Sequence, residues 1–128
     1  MTTGPPGLTP GSAAWALLAT AGDEALLPAG VRIVTGTRPG RQCFLLIEGA
    51  AVLERADAPA AELGAGAFVG AVDQAGRPAP PTGIAVRLVA RSRVLVIDAG
   101  RLAALVDADP AAAAAWAALA RAAARDSA

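Results

Sequence analysis

Within the glycine- and proline-rich stretch Gly70–Gly83, Arg77 is the only side chain that carries a positive charge. An arginine close to the backbone N–H groups of Gly70–Val72 has the chemistry of an anion site, because guanidinium and unpaired amide groups both bind phosphate or carboxylate oxygens. Asp73 could accept a hydrogen bond from a ligand hydroxyl. The alternative interpretation is a pair of solvated loop side chains, since loops of this composition lie on the surface.

The rest of the sequence lacks the side chains of common catalytic and metal sites. There is no histidine, which excludes Ser-His and Cys-His nucleophile pairs, an imidazole base and the usual zinc sites. The single cysteine, Cys43, lies in the apolar run Cys43–Ile47, which predicts a buried and unreactive thiol. We therefore predict that the protein is not an enzyme and has no catalytic residues, no bound metal and no cofactor.

Length and charge limit the classes of protein further. At 128 residues the chain fits one small domain, and eleven basic residues balance eleven acidic ones. The zero net charge provides no field that would attract nucleic acid or an acidic membrane, so we expect neither as a partner. Every basic residue is arginine, which indicates a GC-rich, bacterial genome. No apolar run could span a bilayer and Ala13–Ala21 lacks the preceding cations of a signal peptide, so a cytoplasmic location is expected.

Glycine and proline punctuate the chain and predict its first elements. Residues 1–11 are rich in Gly, Pro and Thr, which predicts a disordered tail. Ser12 is expected to cap a short helix over Ala13–Ala21, which Gly22 ends. From Pro28 onward, glycines separate short apolar or β-branched segments, a pattern typical of strands joined by tight turns. The predicted strands are Arg32–Val34, Cys43–Ile47, Ala50–Glu54, Ala60–Leu63, Ile84–Val89 and Val94–Ile97.

Two helices are predicted after the last strand. Asp98 can cap a helix over Ala99–Val106, and Asp109-Pro110 supplies the N-cap and first-turn proline of another over Ala111–Arg125. The alanines of this last segment have high intrinsic helix propensity. Strands followed by two helices predict a mainly β fold with flanking α, in which helices pack at one end of a small β-roll.

Several spaced segments together resemble the cyclic-nucleotide-binding domain. They are Leu27–Ile33, Gly36–Gly40, Phe44–Gly49, Leu63–Gly70, Arg93–Asp98 and Asp107–Pro110. The segment Leu63–Gly70 is the most telling, because it resembles the Leu-Gly-x-Gly-x-Phe-x-Gly turn before the family's phosphate-binding cassette. The resemblance implies a single cyclic-nucleotide-binding-like β-roll (a double-stranded β-helix or jelly roll) over residues 12–128, with one short N-terminal helix and two C-terminal helices. A cupin, the alternative jelly roll, usually contains metal-binding histidines, which this chain lacks.

The same resemblance implies a degenerate cassette. In the family a glutamate follows the turn and binds the ribose, and a later arginine binds the cyclic phosphate. Those positions are Ala71 and Thr82 here, and nearby prolines disfavour the short helix of the cassette. A ligand, if one binds, is expected at Gly70, Ala71, Val72, Arg77, Thr82 and Gly83.

Two functions follow from these observations. The first is a non-catalytic, stand-alone domain that does not bind cAMP or cGMP in the usual way and acts as a regulatory or protein-interaction module. The second is a small-molecule sensor that binds a cyclic nucleotide or another anion through a rebuilt cassette. The protein partner is not identified by the sequence. A homodimer could form through Trp116, Leu119 and Ala123 of the C-terminal helix, although Trp116 could instead cover its own β-roll.

Overall fold

A computed structural model describes residues 8–34, 42–56, 58–72, 77–79 and 83–127. Within these residues the chain forms three helices and ten strands. In chain order they are α1 (Ala13–Ala21), β1 (Gly22–Leu27), β2 (Arg32–Val34), β3 (Gln42–Glu48), β4 (Ala51–Arg55), β5 (Ala58–Leu63), β6 (Phe68–Val69), β7 (Ala71–Val72), β8 (Pro78–Ala79), β9 (Ile84–Leu88), β10 (Ser92–Asp98), α2 (Ala99–Ala108) and α3 (Pro110–Ser127).

The strands form two four-stranded antiparallel sheets and one short hairpin. The first sheet has the order β1-β10-β3-β6, the second has the order β2-β9-β4-β5, and β7 pairs with β8. The order of each sheet departs from chain order, as it must when the chain winds into a roll. The prediction of a mainly β roll with flanking helices is confirmed, and no described helix has the length and apolar character needed to cross a membrane.

Strand β3 faces two apolar cores at once. Cys43 and Leu45 belong to a buried cluster shared with the three helices, whereas Phe44 and Leu46 belong to a second cluster between the two sheets. Successive side chains of a strand point to opposite faces, so a strand covered on both sides must be apolar throughout. This explains the uninterrupted run Cys43–Ile47 in the sequence.

The predicted helix caps are all present. The side chain of Ser12 accepts a hydrogen bond from the Trp15 N–H at 3.2 Å. Asp98 Oδ1 accepts from the Gly100 N–H at 2.8 Å, and Asp109 Oδ1 accepts from the Ala111 N–H at 3.0 Å. Helix α1 has the predicted bounds, while α2 and α3 extend a few residues beyond the predicted ranges.

The sequence interpretation missed strand β1. Gly22 was predicted only to end α1, yet it starts a six-residue edge strand whose antiparallel partner, β10, lies far along the chain. The pairing brings Gly22 opposite Ile97, where a Cβ would lie 2.8 Å from both Ile97 Cγ1 and the Val96 carbonyl oxygen. Half of this edge strand is exposed, so its sequence carries little hydrophobic alternation to reveal it.

Candidate ligand cassette and its supports

The turn from Leu63 to Gly70 is held by backbone hydrogen bonds to its own residues and to β3. The Gly66 N–H donates to the Leu46 carbonyl oxygen at 2.7 Å, and the Leu46 N–H donates to that of Ala67 at 2.9 Å. The Ala67 N–H also donates to the Gly64 carbonyl oxygen at 3.1 Å. Gly66 has φ of +92°, a left-handed conformation that glycine adopts without strain. The glycine signature that suggested the fold therefore has a structural role at this position.

The segment before α1 also contacts this turn. The Leu8 N–H donates to the Gly66 carbonyl oxygen at 2.7 Å, and the partly buried Leu8 side chain packs against the cluster shared by the helices. Leu8 lies within the range 1–11 for which a disordered tail was predicted, whereas residues 1–7 lie outside the described residues.

Gly70 is required for space rather than for backbone conformation. A Cβ at this position would lie 2.5 Å from Phe68 Cζ and 3.3 Å from Cys43 Sγ. The Phe68 ring itself packs edge-on against Trp116 of α3, with ring centroids 6.2 Å apart. The last glycine of the turn thus makes room for an aromatic contact between the cassette entrance and the C-terminal helix.

The described part of the cassette is a hairpin of two short strands. Ala71 pairs with Ala79, and Val72 pairs with Pro78. The described residues of this segment contain no helix. Residues 73–76 and 80–82 lie outside the described part, and they include Asp73 and the predicted ligand residue Thr82.

Arg77 is paired with an acidic residue of α2. Its Nη2 lies 2.5 Å from Asp107 Oδ2, and the two side chains are 49% and 55% exposed. Asp107 sits in the last turn of its helix, where a negative charge opposes the helix dipole and a nearby cation offsets it. Arg77 is thus a surface side chain, as expected for a loop arginine, and its ion pair links the β7–β8 hairpin to α2. Sequence reasoning gave no sign of this pair, since the two residues are brought together only by the fold.

The space between the two sheets is filled by apolar side chains. Phe44, Leu46, Leu53, Val69 and Val86 are among the residues packed there. Across the described side chains, Ser92 is the only buried polar one. Its hydroxyl donates to the Ala90 carbonyl oxygen at 2.8 Å. The described interior thus contains no buried polar side chain that lacks a hydrogen-bond partner. Gly83, the last predicted ligand residue, is exposed and has φ of +66°.

Cys43 lies directly beneath the start of the hairpin and is fully buried. Burial raises the pKa of the Cys43 thiol from 9.0 to about 12, a backbone hydrogen bond with Ala71 lowers it in part, and the charge of Asp98 adds a small further rise. The thiolate is the reactive form of cysteine, so a raised pKa and burial together suppress its chemistry. The prediction of a buried thiol is confirmed.

The expected dimer residues of α3 face their own chain. Trp116 and Leu119 are 3% and 4% exposed and belong to the cluster that covers the first sheet. These two side chains are therefore not available to a partner, and the alternative interpretation, that Trp116 covers its own β-roll, is confirmed. The side chain of Ala123 lies outside the described set.

Comparison with solved structures shows which proteins share this arrangement. The chain superimposes on the catabolite activator protein of Thermus thermophilus with a TM-score of 0.61 and 23% identity, covering 88% of this chain and 54% of that one. A protein of Geobacter metallireducens whose name assigns it to cyclic-nucleotide binding matches with a TM-score of 0.63 and 21% identity, over 92% and 86% of the two chains. The fold is that of the cyclic-nucleotide-binding domain.

A third match extends the range of proteins that use this cyclic-nucleotide-binding fold. The CO-dependent transcription factor CooA of Carboxydothermus hydrogenoformans matches with a TM-score of 0.57 and 14% identity, over 91% of this chain and 51% of that one. The chain thus spans about half the length of CooA and of the Thermus protein. No protein-family model matches the sequence, and no curated protein is significantly similar to it.

Proposed function

We propose that this chain is a non-catalytic regulatory or protein-interaction module with a degenerate cyclic-nucleotide cassette. The observation that carries the proposal is the state of the hairpin, whose arginine is paired with Asp107. The sequence resemblance adds that Ala71, in β7, aligns with the family's ribose-binding glutamate. A methyl group cannot accept a hydrogen bond from a ribose hydroxyl. An arginine already bound to a carboxylate must give up that partner before it can bind a phosphate.

The free energy of the missing hydrogen bonds supports weak or absent binding of cyclic nucleotides. A hydrogen bond to a charged group contributes about 1.5–3 kcal/mol. Loss of both the carboxylate and the arginine at the positions of Ala71 and Thr82 would then remove about 3–6 kcal/mol. Since every 1.4 kcal/mol corresponds to roughly tenfold in affinity, this loss converts a micromolar ligand into one with a dissociation constant of about 0.1 mM or weaker.

Isothermal titration calorimetry with cAMP and with cGMP tests the proposal directly. We expect no binding in the micromolar range for either nucleotide, and micromolar binding of either one would overturn the degenerate cassette. The double variant Ala71→Glu with Thr82→Arg should gain affinity for the same nucleotides. Ala79→Glu with Thr82→Arg is the matched control, because Ala79 lies opposite Ala71 in the same hairpin.

A module without its own chemistry acts through another chain, and we propose a cytoplasmic protein partner. One such partner is a second copy of this chain. Because Trp116 and Leu119 are buried against their own β-roll, a dimer formed through α3 would use the outward face of this helix. Light scattering coupled to size-exclusion chromatography distinguishes a monomer from a dimer over a range of concentrations. A dimer that resists dilution to low micromolar concentration would place a second copy of the chain as the partner.

The second candidate is a sensor for a small anion. It is favoured by the exposure of Arg77 at the hairpin, where a guanidinium is accessible to an anion from solvent. Two variants of the ion pair separate this candidate from the first. If Arg77 binds the anion, Arg77→Ala should abolish binding of inorganic phosphate, whereas Asp107→Asn should strengthen it. Unchanged phosphate binding in both variants would exclude Arg77 as the anion site.

A further inference from the structure

Leu8 is an isolated large apolar residue in a segment composed mainly of small and polar residues and proline. It is the only large aliphatic or aromatic side chain between Met1 and Trp15, and its neighbours are mainly Gly, Pro and Thr. Such a segment has low hydrophobicity and does not fold on its own. A single leucine inside it is well suited to act as an anchor.

The anchor meets the glycine turn of the cassette through both its backbone and its side chain. The Leu8 N–H bonds to the Gly66 carbonyl oxygen, and the side chain packs against the buried cluster that includes Phe68 and Trp116. A Cβ at Gly66 would lie 2.5 Å from the Leu8 carbonyl oxygen. The turn therefore leaves space for this segment at a position where any other residue would push it away.

The docked segment is linked to α3 by a short series of contacts. Gly66 is fixed to β3 by its hydrogen bond to Leu46, and Phe68, two residues later, packs edge-on against Trp116. Leu8 thus binds the same turn that carries Phe68, the residue in aromatic contact with the C-terminal helix.

We propose that the segment around Leu8 is a detachable strap that holds the glycine turn and transmits the state of the N-terminal segment to α3. When the strap is docked, the turn is pinned and Phe68 is held against Trp116. When the strap is displaced, the turn loses its outer hydrogen bond and the aromatic contact loosens. The strap is independent of the cyclic-nucleotide question, because its described contacts are with Gly66 and the cluster shared by the helices and not with Ala71.

The strap is held more weakly than the strands around it. Among the described residues, Leu8 joins this segment to the turn by one backbone hydrogen bond and one partly buried side chain, whereas β3 is paired along its length with β10 and also with β6. Segments with few buried contacts open locally at much lower free energy than the global unfolding of the protein. The strap can therefore detach while the roll stays folded, as a switching element requires.

Hydrogen exchange measured by mass spectrometry on the full chain tests the strap. Leu8→Ala removes the anchoring side chain, and Leu8→Pro also removes the N–H that bonds to Gly66. We expect each variant to raise exchange in residues 66–70 and 112–120 by roughly fivefold, the effect of losing about one ordinary interaction. Exchange in residues 51–63 should stay unchanged. Leu26→Ala, at a leucine that is 57% exposed on β1, is the matched control and should alter neither segment.

Two results would overturn the strap. Wild-type exchange in residues 66–70 and 112–120 for both Leu8 variants would show that Leu8 does not hold the turn. An equal rise in every peptide, including residues 51–63, would show that Leu8 contributes only to global stability. Fluorescence in a Trp15→Phe background gives an independent readout, because the emission of Trp116 should shift to the red in the Leu8 variants if the aromatic contact loosens.

Discussion

The ring of Phe68 meets the indole of Trp116 edge-on, with the two ring planes 86° apart. Phe68 lies within the glycine turn of the cassette, at the start of β6, and Trp116 lies in the middle of α3. Edge-to-face aromatic pairs of this kind contribute about 0.5–1.5 kcal/mol beyond the area they bury. The contact therefore stabilises the domain by joining the cassette entrance to the C-terminal helix.

Replacement of Phe68 by leucine should destabilise the protein through loss of this pair. We expect Phe68→Leu to lower the free energy of unfolding by about 1–2 kcal/mol, because it combines a change of shape with loss of the aromatic term. Phe44→Leu is the matched control, since Phe44 is similarly buried but lies in the cluster between the two sheets. Urea unfolding followed by tryptophan fluorescence measures both, and equal losses would argue against a specific aromatic contribution.

Two glycines of the same turn should respond oppositely to alanine. Gly70→Ala places a methyl group 2.5 Å from Phe68 Cζ, and overpacking of this kind costs about 1–3 kcal/mol. Gly64→Ala meets nothing within 4 Å and should be neutral or stabilise by up to about 1 kcal/mol, because alanine restricts the unfolded chain. Thermal unfolding of both variants checks the contrast. A Gly70→Ala protein as stable as the wild type would show that the Phe68 ring moves aside freely.

Stability should fall at alkaline pH because of Cys43. The folded protein keeps the thiol protonated up to a pKa of about 12, whereas the unfolded chain loses the proton near pH 9.0. Between these values the unfolded state binds fewer protons, so the free energy of unfolding should drop by up to about 1.4 kcal/mol per pH unit and should be unaffected by this thiol below pH 9. The chain has no lysine, histidine or tyrosine, so few other groups titrate in this window.

Cys43→Ala isolates the contribution of the thiol. The variant should lose the alkaline decrease in unfolding free energy between pH 9 and pH 11, although it should be less stable at pH 7 because of the cavity it leaves. The native wild type should also resist a thiol reagent such as DTNB until it unfolds. Rapid labelling of the folded protein at pH 8 would contradict the burial of Cys43.

The ion pair between Arg77 and Asp107 should contribute little to global stability. Both side chains are about half exposed, and pairs of this kind typically contribute about 0–1 kcal/mol. A double-mutant cycle with Arg77→Ala and Asp107→Ala should give a coupling of that size in low salt and none in about 1 M salt, where screening acts within about 3 Å. Arg91→Ala, at an exposed arginine of the β9–β10 turn, serves as the control. A coupling well above 1 kcal/mol would mean that the hairpin is more firmly tied to α2 than exposure suggests.

Local signals predicted most of the elements, and long-range contacts account for the rest. Ser12, Asp98 and Asp109 act on the backbone only two or three residues away, so the helix starts could be recognised from neighbouring residues. Strand β1 and the docking of Leu8 depend on partners far along the chain, which no local pattern encodes. The partner of Arg77 was missed for the same reason, because a loop arginine and a helix aspartate carry no mark of their pairing.

Because both faces of β3 are buried, hydrophobic burial does little to select the register of this strand. A one-residue slip of a strand normally turns its apolar side chains towards water, and this penalty selects the correct alignment. In β3 a slip would only exchange Cys43 and Leu45 with Phe44 and Leu46, so hydrophobicity alone barely distinguishes the two alignments. Alignment must come from steric fit at the strand ends, where Gly49 lies against the buried Ser92 and leaves no space for a side chain. Small residues at the edges of the roll therefore set the register of β3, which the apolar interior alone does not determine.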